Sequence, residues 1–188
     1  MKNRDRIGFN FLWVLGLAGL LTALSSLQGQ AGVETQISAT VTCFLGGCLQ
    51  EGWQIIDHRR GQVSEVRCLG RSCEEDGWFH QVVGGRADHF TQCLGRGCFL
   101  DGWQIFDFAA NQLQGEAHCR VPVEEGEAEC LRAGWDVYNQ VGQISHRVTC
   151  VGGDCRERGW DVQVVGYGFQ SVRCQSGGCF EKGWTLRP

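Results

Sequence analysis

Paired cysteines can form disulfides, hold a metal ion or run redox chemistry, and this chain carries 12 cysteines in six pairs, each followed by a Gly-Trp step. The unit is V-x-C-x4-C-x3-G-W. It places the pairs and tryptophans at Cys43/Cys48/Trp53, Cys68/Cys73/Trp78, Cys93/Cys98/Trp103, Cys119/Cys130/Trp135, Cys150/Cys155/Trp160 and Cys174/Cys179/Trp184. Tetrahedral zinc and iron–sulfur sites usually use C-x2-C knuckles, and thioredoxin-like centres need C-x-x-C. Neither spacing occurs here, and the five histidines (His58, His80, His89, His118, His146) share no repeat position that would complete a ligand set. Structural disulfides are the expectation, with no cofactor and no metal. Pairing within each motif is preferred over pairing across units. The fourth unit inserts residues between Cys119 and Cys130 yet keeps its register afterwards, as a loop pinned at its base would.

The six Gly-Trp pairs allow two roles. Trp53, Trp78, Trp103, Trp135, Trp160 and Trp184 could form an aromatic ladder that stacks on sugar rings, as in a lectin-like module. Alternatively each indole covers a disulfide or fills the layer between hairpins, the preceding glycine leaving room for close backbone approach. The strict register favours the second role. The Gly-Trp hairpin layout is similar to that of choline-binding modules, whose repeats lack paired cysteines and carry further aromatics, so the chain is not placed in that family.

The insertion Arg120 to Glu129 holds Glu124, Glu125, Glu127 and Glu129. Four carboxylates could ligate a cation or serve a secreted enzyme or enzyme inhibitor, but the spacing is no EF-hand and a solvated loop is the plainer reading. Acids also recur before Gly-Trp at Glu51, Glu75, Asp76, Asp101, Glu157 and Glu181, with Ala133 breaking the series. A catalytic dyad needs one special pair rather than many similar ones. No nucleophile elbow, P-loop, zinc-protease helix or dinucleotide fingerprint is present. Equal tandem units therefore point to a non-catalytic binding or structural protein, whose partner could be a glycan or another cell-envelope component.

The elements that position these residues follow from the repeat. First cysteines lie 25, 25, 26, 31 and 24 residues apart. Two residues before them stand Val41, Val66, Thr91, Ala117, Val148 and Val172, and two after each tryptophan stand Ile55, His80, Ile105, Val137, Val162 and Leu186. An offset of two is the period of a strand with one buried face. Each unit reads as a strand such as Trp53 to Asp57, a turn, a returning strand Val63 to Cys68, and a loop to the next tryptophan. Helix competes poorly, because no window shows the i, i+3, i+4, i+7 pattern and glycine is dense. The fold class is all-β: six disulfide-stapled hairpin repeats in an open β-solenoid-like stack or a closed ring. Closure would pair the half-unit Thr35 to Cys43 with the half-unit Trp184 to Arg187 and remove both exposed edges.

The first residues read as a targeting segment. Lys2, Arg4 and Arg6 precede an uncharged run from Phe11 to Leu24, a signal-peptide core too short for a stable membrane span. Cleavage after Ala31 would leave 32–188 as a single cysteine-rich domain, secreted, periplasmic or at the cell surface, where disulfides persist. The whole chain has 188 residues, 28 glycines and a net charge of −4. Its 43 % hydrophobic residues exclude a disordered chain, the glycines lack a collagen period, and the acidic balance argues against nucleic acid.

Overall fold

The structure, a computed structural model, describes residues 37–120, 130–166 and 168–188. The leader at 1–31 and the carboxylates Glu124, Glu125, Glu127 and Glu129 lie outside the described residues. Twelve strands form the fold: β1 (Ala39–Cys43), β2 (Trp53–Asp57), β3 (Gln62–Cys68), β4 (Gly77–Val82), β5 (Ala87–Cys93), β6 (Trp103–Asp107), β7 (Gln112–Cys119), β8 (Trp135–Asn139), β9 (Ile144–Cys150), β10 (Trp160–Val164), β11 (Gly168–Cys174) and β12 (Gly183–Arg187). They pair antiparallel in sequence order, and β1 closes the circle onto β12 with Val41 opposite Trp184. The closed ring is thus the arrangement adopted. Its sixth hairpin is assembled from the first and last strands, and among the described residues no sheet edge is left unpaired.

Alternation along the strands sets what faces the lumen. All twelve residues at the two offset positions, from Val41 and Ile55 to Val172 and Leu186, are buried. Thr91 and His80 are the polar members of this layer, and the others supply the aliphatic burial that stabilises a small barrel. Every motif pair is bridged: Cys43–Cys48, Cys68–Cys73, Cys93–Cys98, Cys119–Cys130, Cys150–Cys155 and Cys174–Cys179, with Cα atoms 4.4–4.7 Å apart. All six bridges sit at one end of the barrel, and the tight hairpin turns sit at the other.

The segments after the second cysteines depart from the all-loop expectation. Cys48–Glu51, Cys98–Asp101, Cys130–Ala133 and Cys179–Lys182 each form a single helical turn. Four residues are too few for helical periodicity to show in a sequence. Each turn ends at the glycine before the tryptophan, where the chain swings into the next strand. At all six such positions (Gly52, Gly77, Gly102, Gly134, Gly159, Gly183) φ lies between 88° and 109°, and a Cβ would overlap a backbone carbonyl oxygen of the neighbouring strand. Glycine is required there on both counts.

Three consecutive hairpins carry a β-bulge at the same place. Asp88, Gln114 and Ser145 are the extra residues, just before His89, Gly115 and His146. A bulge re-aims the side chains beside it. In the first of these hairpins it brings Asp88 to His80.

Candidate functional site

The lumen is filled by its tryptophans. Going round the barrel, each indole meets the next (Trp53, Trp78, Trp103, Trp135, Trp160, Trp184 and back to Trp53), with centroids 5.4–6.1 Å apart and planes turned by 53–64°. That turn is close to one sixth of a circle, as six equivalent spokes require. Tilted, edge-toward-face contacts at this spacing are favourable for aromatic rings. All six indoles are buried, between 1 and 6 % exposed, so their faces are turned to one another and not to solvent. The lumen-filling role is the one this geometry serves. A ladder of open faces for stacked sugars is not formed by these rings.

A plug closes the disulfide end beneath this layer. The residue after each second cysteine is Leu49, Glu74, Phe99, Leu131, Arg156 or Phe180. Units three apart in a ring of six face each other across the axis, and the residue types match in that sense. Phe99 and Phe180 meet at 5.5 Å between centroids, and Arg156 Nη2 donates to Glu74 Oε1 at 3.4 Å. Leu49 and Leu131 are the third facing pair by position, and both pack on the core. Phe180 lies parallel to Trp160 at 6.2 Å, which joins the plug to the indole layer. Backbone N–H groups of Cys73, Cys98, Cys155 and Cys179 donate to the carbonyls of Leu49, Glu74, Leu131 and Arg156, tying each plug segment to the next.

Carboxylates at this end secure loops. Asp76 and Asp101 accept the backbone N–H of Arg71 and Arg96, and Asp154 accepts those of Arg156 and Glu157. Hydrogen bonds from Arg96 hold the Asp101 carboxyl below the usual carboxylate range. These contacts give Asp76 and Asp101, two of the acids that precede Gly-Trp, a local structural task. Among the described residues no cluster of three or more side chains is arranged to ligate a metal ion.

The hairpin end encloses a polar group that the repeat pattern does not announce. His80 Nδ1 and Asp88 Oδ1 are 2.6 Å apart, and His89 Nδ1 lies 3.4 Å from the same oxygen. Both histidines are buried. Burial works against the charged form of Asp88, but hydrogen bonds from His80 and His89, and their charge, outweigh it and hold the carboxyl well below the usual carboxylate range. Further round, His146 Nδ1 lies 3.0 Å from Ser145 Oγ, while that hydroxyl donates to the Val137 carbonyl. Burial pushes the His146 imidazole down to about 4. His80 and His89 sit on adjacent strands directly opposite one another. Each occupies a lumen position of its own strand, so the alternation signalled their burial, but their convergence on Asp88 depends on the bulge.

The fold and this interior define a class of architecture: a closed antiparallel barrel of six disulfide-stapled hairpins around a ring of indoles. Comparison with protein-family models, with curated proteins and with solved structures finds no match.

Proposed function

We propose that the protein is an exported, non-catalytic β-barrel acting as a rigid binding or structural component of the cell surface or extracellular space. One observation carries this reading: six local disulfides staple a closed barrel whose lumen is occupied by its own indoles. Such bridges persist in oxidising compartments and suit a domain that must hold its shape outside the cell. With the ring faces turned inward, a glycan or other envelope component would be held on the outer wall or at the ends. The uniformity of the six units speaks for presentation of surfaces rather than for one reactive cleft.

The test is fractionation followed by intact mass. Protein recovered from the medium or the envelope should lack residues 1–31 and should have lost two hydrogens for each of six bridges. Recovery from the cytosol with free thiols would overturn the proposal. A screen of the oxidised protein against glycans and envelope fractions then names the partner, with the indole substitutions used as controls for folding rather than for contact.

A further inference from the structure

We propose that the hairpin end of the barrel seats on an anionic phospholipid surface. Exposed apolar residues scattered singly are ordinary, but a gathering of them at one place marks an interaction site. Of the nine large hydrophobic side chains exposed among the described residues, seven lie at the hairpin end: Ile37, Ile56, Val83, Phe108, Val141, Val165 and Phe169. The five nearest the turn tips, Val83, Phe108, Val141, Val165 and Phe169, are 52–75 % exposed. Val83, Val141 and Val165 sit in the turns themselves, where polar residues, glycine and proline are the usual choice, while Phe108 meets Phe90 edge-on and Phe169 lies at the start of β11, both still more than half exposed.

Charge divides the same rim into two arcs. Three consecutive hairpins, read over residues 108–115, 137–146 and 162–172, hold no Asp, Glu, Lys or Arg. On the other arc Arg59, Arg60, Arg86 and Arg187 are exposed. The carboxylates at this end are engaged within the fold: Asp57 accepts the N–H groups of Arg59 and Arg60, Asp107 that of Ala110, and Asp88 is held by His80. An overall acidic protein thus presents four exposed arginines on one arc of this rim, against carboxylates that are each hydrogen-bonded within the fold. Beside them lies an arc whose hairpin residues 108–115, 137–146 and 162–172 are uncharged. Shallow insertion of apolar side chains, assisted by arginines against anionic headgroups, is how interfacial proteins bind bilayers.

The chain path favours a bilayer over a soluble partner. β1 starts at this end, so the residues that precede it in sequence, with the apolar run Phe11 to Leu24 among them, join the barrel at the rim. While the leader is still attached, only residues 25–38 separate that run from β1. This last step rests on the export reading; the rim itself does not.

The experiment is co-sedimentation of the oxidised protein with vesicles of phosphatidylcholine alone or with one quarter phosphatidylglycerol, intact mass first recording whether the leader is present. Binding should favour the anionic vesicles and weaken as salt is raised. It should fall at least tenfold in the variant Phe108→Ser/Val141→Ser/Val165→Ser/Phe169→Ser and in the variant Arg59→Gln/Arg60→Gln/Arg86→Gln. Near-ultraviolet circular dichroism and a thiol count confirm that each variant is folded and oxidised. Equal binding by the wild type and both rim variants would overturn the proposal. So would an equal loss on changing Arg132 and Arg158 at the far end, or a rim-dependent dimer with no vesicle binding. A retained leader would count against export alone, because wild type and variants carry it equally.

Discussion

The two ends of this barrel are written by the same six repeats, yet they are held together by different physics. At the disulfide end, covalent bridges, single helical turns, carboxylate-locked loops and a plug of facing pairs fix the chain at many points. At the hairpin end there are short turns, three bulges, two buried imidazoles around Asp88 and a third, His146, beside Ser145. One end is therefore redundant in its restraints, with the Asp101 carboxyl held below the usual carboxylate range, and the other is lightly restrained and carries buried imidazoles, among them His146 with its pKa lowered to about 4. A repeat protein can in this way keep one end constant while the other is free to vary its turns for contact.

Glycine substitutions should expose this contrast most strongly. Gly102 has φ 95° and a Cβ there would overlap the Ala117 carbonyl, whereas Gly142 has φ 74° with no atom near the added carbon. Gly102→Ala should prevent accumulation of folded, oxidised protein. Gly142→Ala should only cost about 1–2 kcal/mol, the penalty of a left-handed backbone for an L-residue. Denaturant melts of the two proteins check this, and similar stabilities would show that close strand approach at the Gly-Trp step is not what demands glycine.

How far the two ends were legible in the sequence differs too. The phase of the repeat, the strand alternation, the local cysteine pairing and the unpaired half-units that become β1 and β12 can all be read from spacing. Whether the alternating face looks into a closed lumen cannot, since an open stack and a ring use the same alternation; that ambiguity left Trp53 and its five equivalents with two roles. The plug was readable in principle, because Phe99 and Phe180, Glu74 and Arg156, and Leu49 and Leu131 stand three units apart. It becomes meaningful only once a ring of six is assumed. The meeting of His80, Asp88 and His89 was out of reach, because it depends on one extra residue in a strand.

Acid should weaken the hairpin half first. Burial lowers the His146 pKa to about 4, against an unfolded value of about 6.5. The unfolded chain therefore takes up this proton earlier than the native one. Stability from keeping His146 neutral is complete above about pH 6.5 and is lost as pH falls toward about 4, on the order of 3 kcal/mol in all. Asp88, held below the usual range, adds a second loss that begins only as pH drops through the ordinary carboxylate range. His146→Gln should flatten the decline between pH 6.5 and 4.5 in urea melts while leaving the steeper loss below pH 4. An unchanged slope in the variant would remove His146 from this role.

A single bridge should matter less than its covalent nature suggests. Replacing Cys93 and Cys98 by alanine opens a loop with a sequence separation of 5, for which chain entropy gives about 2 kcal/mol. The plug and the backbone bond from Cys98 N–H to the Glu74 carbonyl remain to hold the segment. The variant should fold with its five other bridges intact and a uniformly lower denaturation midpoint. Failure to fold would mean that the bridges act together rather than as six local staples.

The smallest effect belongs to the ion pair of Arg156 and Glu74, which crosses the plug. Arg156 Nη2 and Glu74 Oε1 are 3.4 Å apart, with about half of the arginine and a third of the glutamate side chain open to solvent (49 % and 36 %). Exposed pairs of this kind contribute less than about 1 kcal/mol and are screened by salt. Glu74→Gln should therefore shift stability by a few tenths of a kcal/mol at low ionic strength and by nothing measurable in concentrated salt. The informative variant is Glu74→Phe together with Arg156→Phe, which would make the third facing pair aromatic like Phe99 and Phe180. If the plug works by filling the end of the barrel, this double change should match or exceed the wild type in stability at every salt concentration. If it works by charge pairing, the double variant should lose what the single one loses, and lose it at low salt only.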